Sequence, residues 1–251
     1  MTRELAVAGR GLPRFFPYFG AKRQHAARYP EPRHPLIVEP FAGSAGYATL
    51  HYRCDVLLID LDPAVVATWR YLIGASVSEL LALPDVPLDG TVDDVRLTPE
   101  QRCLVGWWMA HGRAKPATKP SSWMVSGVRP LSYWGPGVRA KLAAQVPRIR
   151  HWRVVEGGYG CAPDVGATWF VDPPYVEAGR SYTRGSAGID YDALAAWCRG
   201  RCGQVMVCEA AGATWLPFQP FGSLRASPGT GRRGRTDEVV WVSEGGRGES
   251  T

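Results

Sequence analysis

Asp172-Pro173-Pro174-Tyr175 follows three apolar residues, Trp169-Phe170-Val171, and ends what reads as a buried strand. Two consecutive prolines fix the backbone and remove two amide donors. What remains is an array of acceptors, the Asp172 carboxylate and the Pro173 carbonyl, beside the flat face of Tyr175. Such an array suits a ligand with an amino group carrying two hydrogens on a planar ring. The exocyclic amine of a nucleobase meets both demands. Its lone pair is delocalised into the ring, and two accepted hydrogen bonds would draw the nitrogen towards a tetrahedral, nucleophilic form. The alternative is a rigid turn whose acid only caps a helix.

Two further places carry residue types suited to ligand chemistry. Phe41-Ala42-Gly43-Ser44-Ala45-Gly46 is a Gly-x-x-Gly turn between a strand and a helix, where a ligand can approach the backbone closely. Asp60 closes the next strand, where a carboxylate can accept hydrogen bonds from ribose hydroxyls. Asp62, followed by Pro63, suits the cap of the following helix better, so Asp60 is expected to be free for a ligand. The nucleoside could belong to NAD, a nucleotide or S-adenosylmethionine. The turn lacks G-x-G-x-x-G and no Walker A sequence occurs, which weighs against a dinucleotide and against ATP hydrolysis.

These residues need elements to position them. Leu36–Glu39, Val56–Asp60, Trp152–Glu156, Thr168–Asp172 and Gln204–Glu209 read as strands. Helices are expected from Gly46 to Arg53, after Asp62-Pro63, after the capping box Ser76–Glu79, after Thr98-Pro99, near Val138–Gln145 and over Asp190–Arg199. Phe221–Ala226 and Glu238–Ser243 are expected to pair as a closing antiparallel hairpin. Strands alternating with helices imply a mostly parallel sheet covered on both faces. Ligands then bind at the carboxyl ends of the strands, so the FAGSAG turn, Asp60, Glu156–Tyr159 and DPPY should meet on one edge.

The charge is unevenly spread. The net charge is +6. Gln101–Arg153 holds ten Lys/Arg and no acid, interleaved with Trp107, Trp108, Trp123, Tyr133, Trp134 and Trp152. Ser76–Glu100 before it is acidic. Cations that neutralise phosphates, with aromatic faces that stack on bases, point to nucleic acid. The bland alternative is a solvated basic face over core tryptophans. A smaller basic cluster, Arg225, Arg232, Arg233 and Arg235, lies in a Gly-rich stretch. Six scattered cysteines suit free thiols, and they lack the second ligand pair of a zinc site. No apolar run is long enough to span a membrane, and the first residues lack a signal core, so a cytoplasmic protein is expected.

In order along the chain stand PYFGAKRQ (Pro17–Gln24), VEPFAGSAG (Val38–Gly46), LLIDLD (Leu57–Asp62), VDPPY (Val171–Tyr175) and GRTDEVVWV (Gly234–Val242). Over Phe16 to about Val242 the chain resembles the Dam-type DNA adenine N6-methyltransferases. That resemblance implies a Rossmann-like S-adenosylmethionine-dependent methyltransferase fold. It implies S-adenosyl-L-methionine as cofactor, double-stranded DNA as partner, and no metal. Tyr18 and Lys22 would contact the cofactor, Asp60 its ribose, and Phe41, Gly43 and Gly46 its methionine end. Asp172 also borders the cofactor. Asp172 and Pro173 would hold the target amine, and Tyr175 would stack on the flipped base. Where the family carries a glycine pair before the lysine, this chain has Gly20-Ala21.

The expected organisation is a catalytic domain of residues 14–75 and 151–244, an inserted DNA-recognition region of residues 76–150, and a frayed tail of residues 245–251. Val176–Ile189, with Tyr182 and Arg184, is a candidate lid. N4-cytosine methylation and a DNA-binding relative without catalysis are the rival functions.

Overall fold

The computed structural model describes residues 11–22, 25–127, 132–176, 186–225 and 235–244. The candidate lid residues Tyr182 and Arg184, the arginines at 232 and 233, Arg129 and the tail from 245 lie outside the described residues.

Seven strands form one mixed sheet: β1 Leu36–Glu39, β2 Asp55–Asp60, β3 Arg153–Glu156, β4 Ala167–Val171, β5 Gly203–Ala210, β6 Gln219–Arg225 and β7 Arg235–Ser243. Their order across the sheet is β3-β2-β1-β4-β5-β7-β6. The first five in that order run parallel. β7 runs antiparallel between β5 and β6. The closing hairpin thus forms as expected, and it is β7, not β6, that pairs with β5, leaving β6 at the edge. The whole is an α/β architecture compatible with a Rossmann-like fold.

Sequence chemistry explains the strands. β4 is buried at every position, and β5 at all but its last. Central parallel strands covered on both faces read as such unbroken apolar runs. β3 lies at the sheet edge and is largely exposed. It is held by β2 in register, with Asp60 opposite Glu156.

The helices start where their caps predict. Asp62 accepts from the Ala64 amide at 2.9 Å and opens the helix Pro63–Gly74. In chain order the helices are α1 Gly46–Leu50, α2 Pro63–Gly74, α3 Val77–Ala82, α4 Pro99–Met109, α5 Ser122–Val125, α6 Pro136–Ala143 and α7 Tyr191–Arg199. Reciprocal capping boxes open α3 and α4, from Ser76 with Glu79 and from Thr98 with Gln101. Each such cap contributes about 1 kcal/mol. α5 was not anticipated; it is a single turn that follows a Pro-containing loop.

Helices α3 to α6 do not stand apart from the sheet. Leu80, Leu104, Trp107, Trp108 and Leu142 share one buried cluster with Ile37, Leu58 and Phe170. The tryptophans of the basic stretch are mostly part of that core. Trp107, Trp108, Trp134 and Trp152 are buried, and only Trp123 is widely exposed, at 65%. The indole N–H groups find acceptors: Trp107 on Thr68, Trp108 on the Phe15 carbonyl, Trp134 on the Pro84 carbonyl. A buried indole requires such a partner. For these four residues the bland alternative is the observed one.

Several basic residues of the same stretch are also used internally. Arg102 pairs with Asp93 and Arg139 with Asp85, both acids of the preceding segment. Arg150 donates to the carbonyls of Ile73 and Ala75. Arg113, Lys115 and Lys119 remain exposed on the loop between α4 and α5, and they form no ion pair among the described residues. Gly106 lets that loop close onto α4. A Cβ at Gly106 would lie 2.7 Å from the Ala117 carbonyl oxygen.

All six cysteines are free. Among the described residues no helix is long and apolar enough to cross a membrane, and no group of three metal-binding side chains occurs.

Candidate active site

Strands β1 and β4 are neighbours, and the chain leaves them in opposite directions across the sheet. This reversal makes the crevice beyond their carboxyl ends the expected ligand site of an open α/β sheet. The FAGSAG turn leaves β1 there and DPPY leaves β4. A cavity of about 470 Å³ occupies the crevice. It is lined by Tyr18 to Lys22, Glu39 to Gly46, Asp60 to Asp62, Gly158, Asp172 and Pro174, among others. All four strand ends expected on this edge reach it, though Glu156–Tyr159 contributes only Gly158. Most of the sequence-derived site residues, Tyr18, Lys22, Phe41, Gly43, Gly46, Asp60 and Asp172, line the one cavity. Pro173 and Tyr175 adjoin them in the chain and are not among its lining residues.

The turn after β1 is held in an unusual backbone. Gly43 has φ +45°, and Ala45 has φ 51° and ψ 55°. A left-handed alanine costs roughly 1–2 kcal/mol, and it persists because Ala45 is fully buried between packed elements. Gly43 is required twice over. A Cβ there would sit 3.0 Å from the Tyr18 ring. Trp69 of α2 fixes the same turn by donating to the Gly43 carbonyl at 2.8 Å.

Tyr18 is placed by an aromatic stack. Its ring meets Trp107 of α4 edge-on at 5.4 Å, and Phe16 stacks on Trp107 at 5.6 Å. The amide of the next residue, Phe19, donates to the Arg113 carbonyl. The exposed basic loop therefore abuts the cavity rim. Ala21, at the departure from the glycine pair, has ordinary φ and an exposed position, so its methyl strains nothing.

Asp60 is not free in the way its sequence position suggests. Its two oxygens accept from the Gly43 amide at 2.9 Å and the Asp62 amide at 2.8 Å. It ties the turn after β1 to the start of α2 while facing the cavity. Burial pushes its carboxyl up to about 6, against these hydrogen bonds.

Asp172 lies at the cavity wall with 21% of its side chain exposed. Burial pushes its carboxyl up to about 7, and the nearby Lys22 ammonium limits the rise. Lys22 is almost fully buried, 3.4 Å from Asp172 and 2.9 Å from Glu238. Burial disfavours its charge, but the Asp172 and Glu238 carboxylates outweigh that and raise its pKa. Lys22 also donates to the Tyr175 hydroxyl and lies over the Tyr175 ring, 4.4 Å from its centre. The Tyr175 hydroxyl is thus turned inward.

The exit from DPPY is fixed on two sides. Tyr191, the first residue of α7, donates its hydroxyl to the Pro174 carbonyl. Glu209, at the end of β5, accepts from the Val176 amide at 3.3 Å and from the Trp215 indole at 3.2 Å.

Sequence reading passed over Glu39, Glu209 and Glu238. Glu39 lines the cavity, accepts from the Ala48 amide at 2.6 Å, and is pushed by burial up to about 8. Its signal was available: like Asp60 and Asp172, it is an acid that closes an apolar strand. Glu238 shares the buried phase of β7 with Val240, so an acid falls where the alternation calls for an apolar residue.

The cavity chemistry is acidic. Glu39, Asp60, Asp62 and Asp172 face it against the single lysine, Lys22. That suits a ligand bearing positive charge and suits poorly the phosphates of NAD or ATP. No protein-family model matches this chain, and the curated proteins contain no match to it.

Proposed function

We propose that the protein is a DNA methyltransferase that moves a methyl group from S-adenosylmethionine to an exocyclic base amine, N6 of a flipped adenine. The observation that carries this reading is the meeting of Asp172 and the 41–46 turn in one acidic crevice at the strand-order reversal. Such crevices of a few hundred cubic ångströms are the usual small-molecule sites. The residues fit the cofactor. Its ammonium and sulfonium charges would favour the ionised forms of the acids that line the crevice, and Asp60, at the end of β2, is the candidate partner of the ribose. When bound, S-adenosylmethionine supplies an activated methyl carbon on a neutral leaving group. Asp172 and the Pro173 carbonyl accept the two amine hydrogens and turn the nitrogen lone pair towards that carbon. Catalysis is mainly positioning and hydrogen bonding. The base would stack on the Tyr175 ring.

Asp172 is the stronger acceptor when ionised, with both oxygens free to accept. With its carboxyl near 7, transfer under limiting substrate is expected to rise with pH through about 7 and to fall on the acid side. A pH–rate profile flat from 5.5 to 8 would remove Asp172 from this role.

The DNA side of the reading rests on Arg113, Lys115, Lys119 and exposed Trp123, on the loop and turn beside the cavity rim. The double variant Lys115→Gln with Lys119→Gln should weaken duplex binding. If both contact phosphates, the log–log salt slope drops by about 0.9 for each. An unchanged slope would place the duplex elsewhere.

The deciding experiment incubates the protein with methyl-labelled S-adenosylmethionine and mixed-sequence duplex DNA, then identifies the modified base. N6-methyladenine is expected. N4-methylcytosine would keep the mechanism and change the base, and label on neither would end the proposal.

A further inference from the structure

Glu238 stands behind the site on β7, with 1% of its side chain exposed. Three groups converge on its Oε1: the Tyr29 hydroxyl donates at 2.7 Å, the Tyr175 hydroxyl donates at 2.9 Å, and the Lys22 ammonium lies at 2.9 Å. Its Oε2 is buried and accepts no hydrogen bond among the described residues. Buried carboxylate oxygens are rarely left without a partner, so one that is calls for an explanation other than stability.

The geometry points to Glu238 as a positioning residue that acts through Lys22 and Tyr175, an inference that rests on the amine-methylation reading above. Lys22 has two carboxylates to choose between, and it lies nearer Glu238 than Asp172, 2.9 Å against 3.4 Å. Glu238 draws the ammonium back from Asp172. The Asp172 oxygens then stay available to the incoming amine, while the cation remains close enough to favour the ionised acid. Without the Glu238 charge, Asp172 would be the remaining carboxylate beside Lys22. The two would close into a full ion pair, and an entering amine would have to displace an ammonium from its acceptor. The same carboxylate anchors the Tyr175 hydroxyl and so fixes the rotation of the ring beside the target base.

The substrate amine and the Lys22 ammonium are chemically alike: both are nitrogen donors for one carboxylate. Glu238 makes the difference between a lysine that supports Asp172 and one that occupies it. β7 can deliver this acid because it inserts antiparallel beside β5, placing Glu238 opposite Ala210 at the end of the sheet that carries the cavity.

The test compares wild type with Glu238→Gln, Lys22→Gln and the double variant. Glutamine keeps the shape of Glu238 and an acceptor oxygen, removes the charge and puts an NH2 donor in place of the second oxygen. Glu238→Gln should lower kcat about ten- to a hundred-fold, the range seen when orienting partners of a metal ligand are removed. KM for S-adenosylmethionine should move far less. Because Glu238 acts in large part through Lys22, the double variant should lose much less than the sum of the two single losses. Additive losses, or Glu238→Gln with wild-type kcat, would overturn the inference. Absence of transfer by the wild type would instead overturn the methylation reading, and this inference with it.

A measurement on the unmodified protein covers the case in which a variant does not fold. The chain has four lysines, Lys22, Lys115, Lys119 and Lys141. Lysine-selective 15N labelling should therefore give one protected ammonium signal, from Lys22. Labelled carboxyl carbon in glutamate should couple to it more strongly than labelled carboxyl carbon in aspartate. The reverse order would overturn the inference.

Discussion

Asp172→Ala is expected to abolish methyl transfer to DNA while leaving the fold and duplex affinity in place. Removing one preorganised hydrogen-bonding group from a reaction centre costs on the order of a hundred- to a thousand-fold in kcat. On the proposed function Asp172 would do more than such a group, since it would both accept from the amine and lie beside the methyl donor. The loss should therefore reach or exceed the upper end of that range. The fold should survive because Lys22 keeps Glu238 at 2.9 Å when Asp172 is gone. Duplex affinity should survive because the exposed cations of the α4–α5 loop are untouched. Single-turnover transfer, circular dichroism and a duplex titration check the three statements separately. Near-normal transfer by Asp172→Ala would sink the assigned role of the motif.

Lys22→Met is expected to give the largest loss of stability, about 3–5 kcal/mol. Removing one partner of a buried ion pair leaves uncompensated charge, and that loss is of this size. Here two carboxylates, Asp172 and Glu238, lose their shared cation, and the Tyr175 hydroxyl loses a donor. The pH dependence has a definite sign. Burial holds the Asp172 carboxyl near 7 in the folded protein, above its ordinary value of 3.8. A group raised on folding binds its proton more tightly in the native state. Its ionisation therefore costs stability as pH climbs from about 4 to 7. Lys22 lessens that cost, because its charge lowers the Asp172 pKa. Without Lys22 the acid rises further. The gap in Tm between wild type and Lys22→Met should be smallest near pH 5, where Asp172 is protonated in both, and should widen towards pH 8. A gap independent of pH would show that Lys22 acts by packing and not by charge.

Much of the site was legible because strand ends leave strong marks. An acid after a run of apolar residues stands out at Asp60 and Asp172, and glycines at 43 and 46 flag a turn a ligand can approach. Caps were equally plain: Asp62 with Pro63, Ser76 with Glu79 and Thr98 with Gln101 each do what their side chains can do locally. The tryptophans of the basic stretch misled. Composition cannot tell a stacking indole from a core indole, and four of the five are core. The charges of that stretch were overcounted for a related reason. Asp85 and Asp93 reach across from the acidic segment to Arg139 and Arg102, contacts that sequence distance conceals.

The sequence by itself determined the local chemistry. It set the strand runs, the caps, the turn after β1 and the stiff acceptor array of Asp172-Pro173, because these depend on backbone preference and periodicity over a few residues. Only the tertiary structure decided what those parts meet. It put β1 beside β4, so that the FAGSAG turn and DPPY open on one crevice. It threaded β7 next to β5, and so set Glu238 beside Lys22, 216 positions away in the chain. It also turned Asp60 from a free acceptor into a tie between two loops. The reason is physical. Strand order and buried ion pairing are settled by which apolar faces can be covered together and by which buried charges can find partners. Both are properties of the whole packed sheet.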